Sequence, residues 1–148
     1  MRATIQRVTA AKVVVDKNIV GQIEAGLLVF FGVTHQDTEP DVDWLVKKIC
    51  NLRIFNDPDG KMNLSVKDIK GSILVVSQFT LYANTLRGNR PDFIQAAKPE
   101  HAERLYELFI QKIKDTDINT QCGIFGADMQ VSLVNDGPVT INIEKQME

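Results

Sequence analysis

The run Ile73-Leu74-Val75-Val76-Ser77-Gln78-Phe79-Thr80-Leu81 decides how the rest of the chain has to be read. Its first four residues are all apolar and three are β-branched. That composition predicts a strand buried on both faces, because a strand with one wet face alternates instead. The pleat turns successive side chains to opposite faces. Extension continued through Leu81 therefore sends Ser77 and Phe79 one way and Gln78 and Thr80 the other. Polar side chains at the end of a buried strand need hydrogen-bond partners, since an unpaired buried polar group costs on the order of 1–3 kcal/mol. Those partners are either neighbouring backbone or a substrate, and this stretch alone leaves both open.

Upstream, Ala3–Val8 and Lys12–Val15 read as extended, with a turn at Asp16-Lys17-Asn18 and a returning strand at Ile19–Ile23. After Gly26, the run Leu27–Val33 is apolar enough to be a central strand. Thr38 as cap, Pro40 in the first turn and Asp41 and Asp43 near the start predict a helix, and Val42, Leu45, Val46, Ile49 and Leu52 keep helical spacing. Arg53–Phe55 reads as a short strand before the loop Asn56–Gly60. Downstream of Leu81, Tyr82–Pro91 has loop composition. A second helix begins at Pro99, with Ala102, Leu105, Leu108, Phe109 and Ile113 as its buried stripe. Met129–Val134 and Val139–Ile143 flank the corner Asn135-Asp136-Gly137-Pro138 and are expected to form a terminal β-hairpin. The expected fold is a single compact α+β domain over residues 1–148, with multi-stranded sheets, two main helices and that C-terminal hairpin.

A chain of 148 residues is long enough to bury a core without disulfides or metal staples, and 44% hydrophobic with 24% charged residues is ordinary for a soluble globular protein. No apolar run reaches the roughly 18 residues that span a bilayer, so no membrane partner is expected. The N-terminal segment lacks the pattern of a signal peptide, and Cys50 and Cys122 stand far apart outside any Cys-x-x-Cys spacing. Both features lead us to expect a cytoplasmic protein with reduced thiols. With two histidines in all, His35 and His101, no metal site and no cofactor are expected. A net charge of −2 argues against a protein that coats duplex DNA, yet leaves room for one that holds only the end of an RNA.

The stretch Asn135-Asp136-Gly137-Pro138-Val139-Thr140 is the second informative one. Taken alone it suits a hairpin corner. Yet Pro138 stands where a paired strand should begin and cannot donate to a ladder. The corner would present two carbonyls at a tip, with no side chain at Gly137 to cover them. That suits close steric inspection of a small ligand.

Ser77-Gln78-Phe79-Thr80-Leu81 and Asn135-Asp136-Gly137-Pro138-Val139-Thr140 together resemble the two signature motifs of the D-aminoacyl-tRNA deacylase family, also called D-tyrosyl-tRNA(Tyr) deacylases. The resemblance extends through Met1–Val8, the loop Gly88-Asn89-Arg90-Pro91 and the order of elements, and so covers essentially the whole chain. It implies a deacylase-type fold and a homodimer that hydrolyses the ester between a D-amino acid and the terminal ribose of tRNA. It also implies a cis Gly137-Pro138 pair, inserted from one subunit into the active site of the other. Its carbonyls would exclude an L side chain while admitting D residues and achiral glycine, so glycyl-tRNA is expected as a further substrate. Rigid backbone suits this task, because a pocket that accepts many D side chains has to read the stereocentre by exclusion. Arg7 and Asn135 are the expected supports of the tip, although Arg7 read by itself is equally well a solvated strand arginine.

Ser77, Gln78, Phe79 and Thr80 are the expected catalytic set. Thr80 as nucleophile needs a base that neither histidine supplies, and no Gly-x-Ser-x-Gly elbow surrounds Ser77. The family pattern allows the ribose 2′-hydroxyl to help activate water, with backbone N–H at Phe79 or Thr80 stabilising the oxyanion. Ser77 and Gln78 would then position the terminal adenosine or the substrate amine. Arg87, Arg90 and Lys98 form a basic group beside the first motif and are candidate tRNA contacts. The rival readings are a non-catalytic module that captures an RNA 3′ end and a small esterase that uses Thr80 or Ser77 as nucleophile.

Overall fold

The computed structural model describes residues 1–146, so the last two residues of the expected 1–148 domain lie outside it. Its elements run β1 (Arg2–Val15), β2 (Asn18–Ile23), β3 (Gly26–Gly32), α1 (Glu39–Asn51), β4 (Phe55–Asn56), β5 (Met62–Leu64), β6 (Ser72–Ser77), a 3-10 turn (Phe79–Tyr82), α2 (Pro99–Lys114), β7 (Asn119–Cys122) and β8 (Gln130–Glu144). The main sheet has six strands in the order β2-β1-β3-β6-β7, with β8 on the remaining edge of β1. β1 pairs antiparallel with β3 through its first half and with β2 through its second, while β8 runs antiparallel along both halves. β3, β6 and β7 are mutually parallel, and β2 leans back toward β7, which curls the sheet toward a barrel.

The apolar runs of β3 and β6 are continuous because each faces a core on either side. Leu27, Val29, Phe31, Ile73 and Val75 join the cluster built with Val42, Leu45 and Ile49 of α1 and Leu105, Phe109 and Ile113 of α2. The alternate residues Leu28, Leu74 and Val76 join Val8, Val13 and Ile23 inside the curl. The helices begin where local chemistry places them. The Thr38 N–H donates to the Asp41 carboxylate at 2.8 Å ahead of α1, and Pro99 heads α2.

The C-terminal hairpin is corrected. Val131 and Leu133 pair with Val13 and Ala11, and Ile141 and Ile143 pair with Ile5 and Ala3, all on one edge of β1. The chain between them never reverses. It makes an outward bulge inside one long strand, because β1 at 14 residues is long enough to pair both halves. The bulge sits where β8 passes from one core to the other: Val131 and Leu133 meet the cluster inside the curl, Val139, Ile141 and Ile143 the helix-facing one.

Candidate functional site

β6 does not continue through Leu81, which corrects the expected alternation of Ser77 through Thr80. The parallel ladder ends at Phe31↔Ser77 because β3 itself stops at Gly32 and offers nothing further to pair. The Gln78 N–H makes one last bond to the Phe31 carbonyl at 2.8 Å, and the chain then tightens into the turn Phe79–Tyr82. Within it Leu81 N–H donates to Gln78 O at 3.2 Å, and the Gln78 side-chain amide donates to the Thr80 hydroxyl. The first N–H groups of any helical turn lack intrahelical acceptors. Here they belong to Phe79 and Thr80, and among the described residues nothing accepts from either. The turn lies close over Gly32, where a Cβ would come within 3.1 Å of the Gln78 carbonyl and 3.2 Å of Leu81 Cβ.

A cleft of about 640 Å³ opens beside this turn. Ser77, Gln78 and Phe79 form one side. Phe93, Ala96 and Ala97 form a second, and Phe125, Met129 and Val131 a third. Phe79 is 56% exposed and meets Phe93 edge to face, with ring centroids 5.0 Å apart. Lys98 at the start of α2 is the one ionisable side chain in the lining; no His, Asp, Glu, Cys or Tyr takes part. His35 and His101 are both spent on backbone carbonyls, of Ile94 at 2.6 Å and Asp37 at 2.8 Å. Tyr82, at the far end of the turn, is buried with its pKa raised chiefly by that burial, and its hydroxyl stays neutral.

The second motif forms a separate structure. The ladder steps from Val8↔Asn135 to Gln6↔Thr140, so the residues between Asn135 and Thr140 stand out from the strand. The Asn135 side chain closes the base of the bulge, its Oδ1 accepting from Val139 N–H at 3.1 Å and its Nδ2 donating to Thr140 Oγ1 at 3.0 Å. Arg7 is 6% exposed; its Nε donates to the Asp136 carbonyl at 3.2 Å and its Nη1 to the Ile54 carbonyl at 2.8 Å. The Gly137-Pro138 bond is cis and Gly137 has φ +125°. A Cβ at Gly137 would sit 2.9 Å from Val139 Cγ2 and 3.0 Å from Arg7 Nη2, so the guanidinium and the bare backbone share one space.

The chain therefore brings Ser77, Gln78, Phe79 and Lys98 together on one cleft, with Thr80 attached through Gln78. It gathers Arg7, Asn135, Gly137 and Pro138 elsewhere. Val131 lies on the cleft wall, and Gly137 follows six residues later on the same strand. At about 3.3 Å per residue the tip is at most about 20 Å from that wall, and neither Gly137 nor Pro138 lines the cleft. Arg87 and Arg90 occupy an exposed loop closed at its base by paired bonds between Asn84 and Asp92, and neither lines the cleft. Sequence reasoning missed the aromatic walls Phe93 and Phe125, together with Met129 and Val131. It also missed Arg2, whose Nη1 donates to the Leu81 carbonyl at 2.8 Å. Among the described residues no group of three or more His, Cys, Asp or Glu is placed to hold a metal ion, and no helix is long and apolar enough to cross a membrane.

A family model described as D-Tyr-tRNA(Tyr) deacylase matches residues 4–144. The chain is 59% identical to a D-aminoacyl-tRNA deacylase of Fusobacterium nucleatum subsp. nucleatum, over 97% of this chain and 95% of that one. Proteins of the same name from Clostridioides difficile and Thermotoga petrophila are 56% and 55% identical, each alignment covering 97% of both chains. Among solved structures, one named c-Myc DNA Unwinding Element Binding Protein superposes with a TM-score of 0.93 at 42% identity, covering 99% of this chain and all of its own. Another, described as a probable eukaryotic D-amino acid tRNA deacylase, has a TM-score of 0.82 at 17% identity over 96% and 97% of the two chains; it shares the fold.

Proposed function

Because this chain belongs to the D-Tyr-tRNA(Tyr) deacylase family, and is accordingly a hydrolase acting on D-aminoacyl-tRNA, we propose how its cleft and tip carry out that reaction. The observation that carries the proposal is a pair of unpartnered amides at the head of the turn beside a cleft whose lining holds no His, Asp, Glu or Cys and has Lys98 as its one ionisable side chain. Such a site stabilises developing negative charge but offers no carboxylate, imidazole or thiolate to deprotonate a nucleophile. Water adds to the ester carbonyl carbon, and the neighbouring 2′-hydroxyl of the ribose assists its deprotonation. The amides of Phe79 and Thr80 donate to the oxyanion, an effect typically worth about 3–4 kcal/mol per donor. The bond to the ribose oxygen then breaks, that oxygen takes the proton, and free D-amino acid and tRNA leave. Ser77 and Gln78 hold the terminal adenosine or the substrate amine. Lys98, with Arg87 and Arg90 on the loop beyond Asn84, meets the phosphates of the acceptor end.

The tip works in trans. Gly137 and Pro138 do not line the cleft of their own subunit, whereas a second copy related by a two-fold axis would deliver them to the cleft mouth. β8 favours such pairing. It is an edge strand of 15 residues, and its inward side chains Val131, Leu133, Val139, Ile141 and Ile143 are only half-buried within one chain. The two tip carbonyls then stand where an L side chain would project, and glycyl esters, with no side chain, pass. We place the activity in the cytoplasm, where charged tRNA is used.

The test is the deacylation rate of matched D-tyrosyl-tRNA and L-tyrosyl-tRNA by the purified protein without added metal. Loss of the D ester with the L ester spared is expected. Loss of both would remove the stereochemical gate, and binding without cleavage would favour an RNA-end capture module.

A further inference from the structure

We propose that Arg2 is a positioning residue for the reaction, holding the turn Phe79–Tyr82 at the angle that points its leading amides into the cleft. The inference rests on the proposed role of the Phe79 and Thr80 amides. One planar guanidinium makes three contacts. Its Nη1 donates to the Leu81 carbonyl at 2.8 Å, its Cζ stands 4.4 Å over the Tyr82 ring, and its Nε pairs with Glu144 Oε1 at 3.2 Å. Leu81 and Tyr82 are the trailing half of the turn, whose carbonyls would otherwise lack partners. A four-residue turn moves as a unit, so the hold on its trailing half sets the direction of the amides at its head.

The turn is located from two sides. Gly32 lets it lie flat on the end of β3, where a Cβ would press on the Gln78 carbonyl and Leu81. That contact fixes its height, and the Gln78 N–H bond to the Phe31 carbonyl ties its leading end to β3. Arg2, paired in the sheet with Gly32 on one side and Glu144 on the other, adds a polar hold at the trailing end. The fork geometry matters, because a lysine in its place has one point charge to share among a carbonyl, a ring and a carboxylate. Glu144 lies near the end of the strand that carries Gly137 and Pro138. One strand thus bears the tip and, through Arg2, braces the turn of its own subunit.

The experiment compares D-tyrosyl-tRNA deacylation by the wild-type protein, Arg2→Lys, Arg2→Met and Glu144→Gln, with thermal melting of each. A displacement of reacting groups by about 1 Å costs up to roughly a hundredfold in rate. Arg2→Met is expected to lower kcat at least about tenfold with KM within about twofold, since the cleft walls that bind substrate are unchanged. Arg2→Lys should recover part of that loss, and Glu144→Gln should lower kcat a few-fold. A fall in melting temperature with kcat preserved in Arg2→Met would make Arg2 a structural staple and overturn the proposal. If Arg2→Met does not fold, wild-type kcat in both Arg2→Lys and Glu144→Gln overturns it equally. An inactive wild-type protein would instead sink the proposed function itself.

Discussion

At Phe79 and Thr80 two amide groups at the head of the turn beside the cleft lack acceptors among the described residues, whereas at Gly137 the neighbouring Arg7 and Asn135 side chains are already committed. Arg7 holds the Asp136 carbonyl, and Asn135 spans the bulge to Val139 and Thr140. The cleft is about 640 Å³ of space walled by strand ends and loops, and neither Gly137 nor Pro138 lines it. One region keeps donors free and waits for a ligand, while the other spends its bonds on keeping two backbone carbonyls in place. The contrast is that of a receptor and a plug. It explains why Phe79 of the first lies exposed while Arg7 of the second is buried.

The sharpest way to break the comparison is to ask whether the two regions serve the same subunit. Gly137→Ala forces a Cβ against Val139 and Arg7 and should displace the tip, while Ser77→Ala with Gln78→Ala should disable the cleft. Ser77→Ala with Gln78→Ala is expected to lose D-tyrosyl-tRNA deacylation by about a hundredfold or more, and Gly137→Ala to cleave the L ester that the wild-type protein spares. In an equal mixture, dissociated and reassociated, hybrid dimers would pair an intact cleft with an intact tip. Random pairing should then gate about half of the intact clefts, so L-ester cleavage per Gly137→Ala subunit falls by about half while D-ester cleavage is kept. The rates on both esters are measured in the mixed sample against the two separate ones. Unchanged L-ester cleavage would mean that tip and cleft act within one chain.

How far each region could be read from the sequence follows from how local its causes are. The two-sided burial of Ile73–Val76 was legible because four apolar residues in a row carry it themselves. Both helices announced their starts through Thr38, Pro40 and Pro99. The end of β6 at Ser77 was not legible, because it depends on β3 stopping at Gly32, some 45 residues away. For the same reason Asn135–Pro138 read as a hairpin corner. Its turn chemistry is real, but the length of β1 decides whether the chain reverses or bulges. The cleft walls Phe93, Phe125 and Met129 come from loops with no periodic pattern, and nothing in their neighbourhood marks them as facing one another. The pairing of motifs drew attention to two separate stretches; which of their residues share a cavity was a property of the sheet.

A smaller effect sharpens the tip side of the contrast. Arg7→Met leaves the Ile54 carbonyl without its donor in a buried place, which costs about 1–3 kcal/mol and lowers Tm by roughly 2–10 °C. It also frees Asp136, so the ratio of D to L ester cleavage should fall by about tenfold while D-ester cleavage persists. Melting and paired rates on the two esters measure both. An unchanged ratio in a destabilised protein would make Arg7 a fold residue with no part in holding the tip.

The smallest effect is expected at Thr80, and its smallness is the point. If the backbone amide is the working group, Thr80→Ala removes only the hydroxyl that accepts from Gln78 and leaves the donor in place. Activity should then stay within about tenfold of wild type, the loss reflecting a looser Gln78 side chain. A nucleophile behaves otherwise. Its deletion typically costs on the order of 10⁶ in kcat, because the covalent route disappears. A rate measurement on this one variant separates the alternatives by several orders of magnitude. A loss near the upper figure would require a base for Thr80, and the cleft lining offers only Lys98 for that part. Lys98→Met would then have to fall as far as Thr80→Ala, and the receptor side of the comparison would become a side-chain catalytic pair in place of a backbone one.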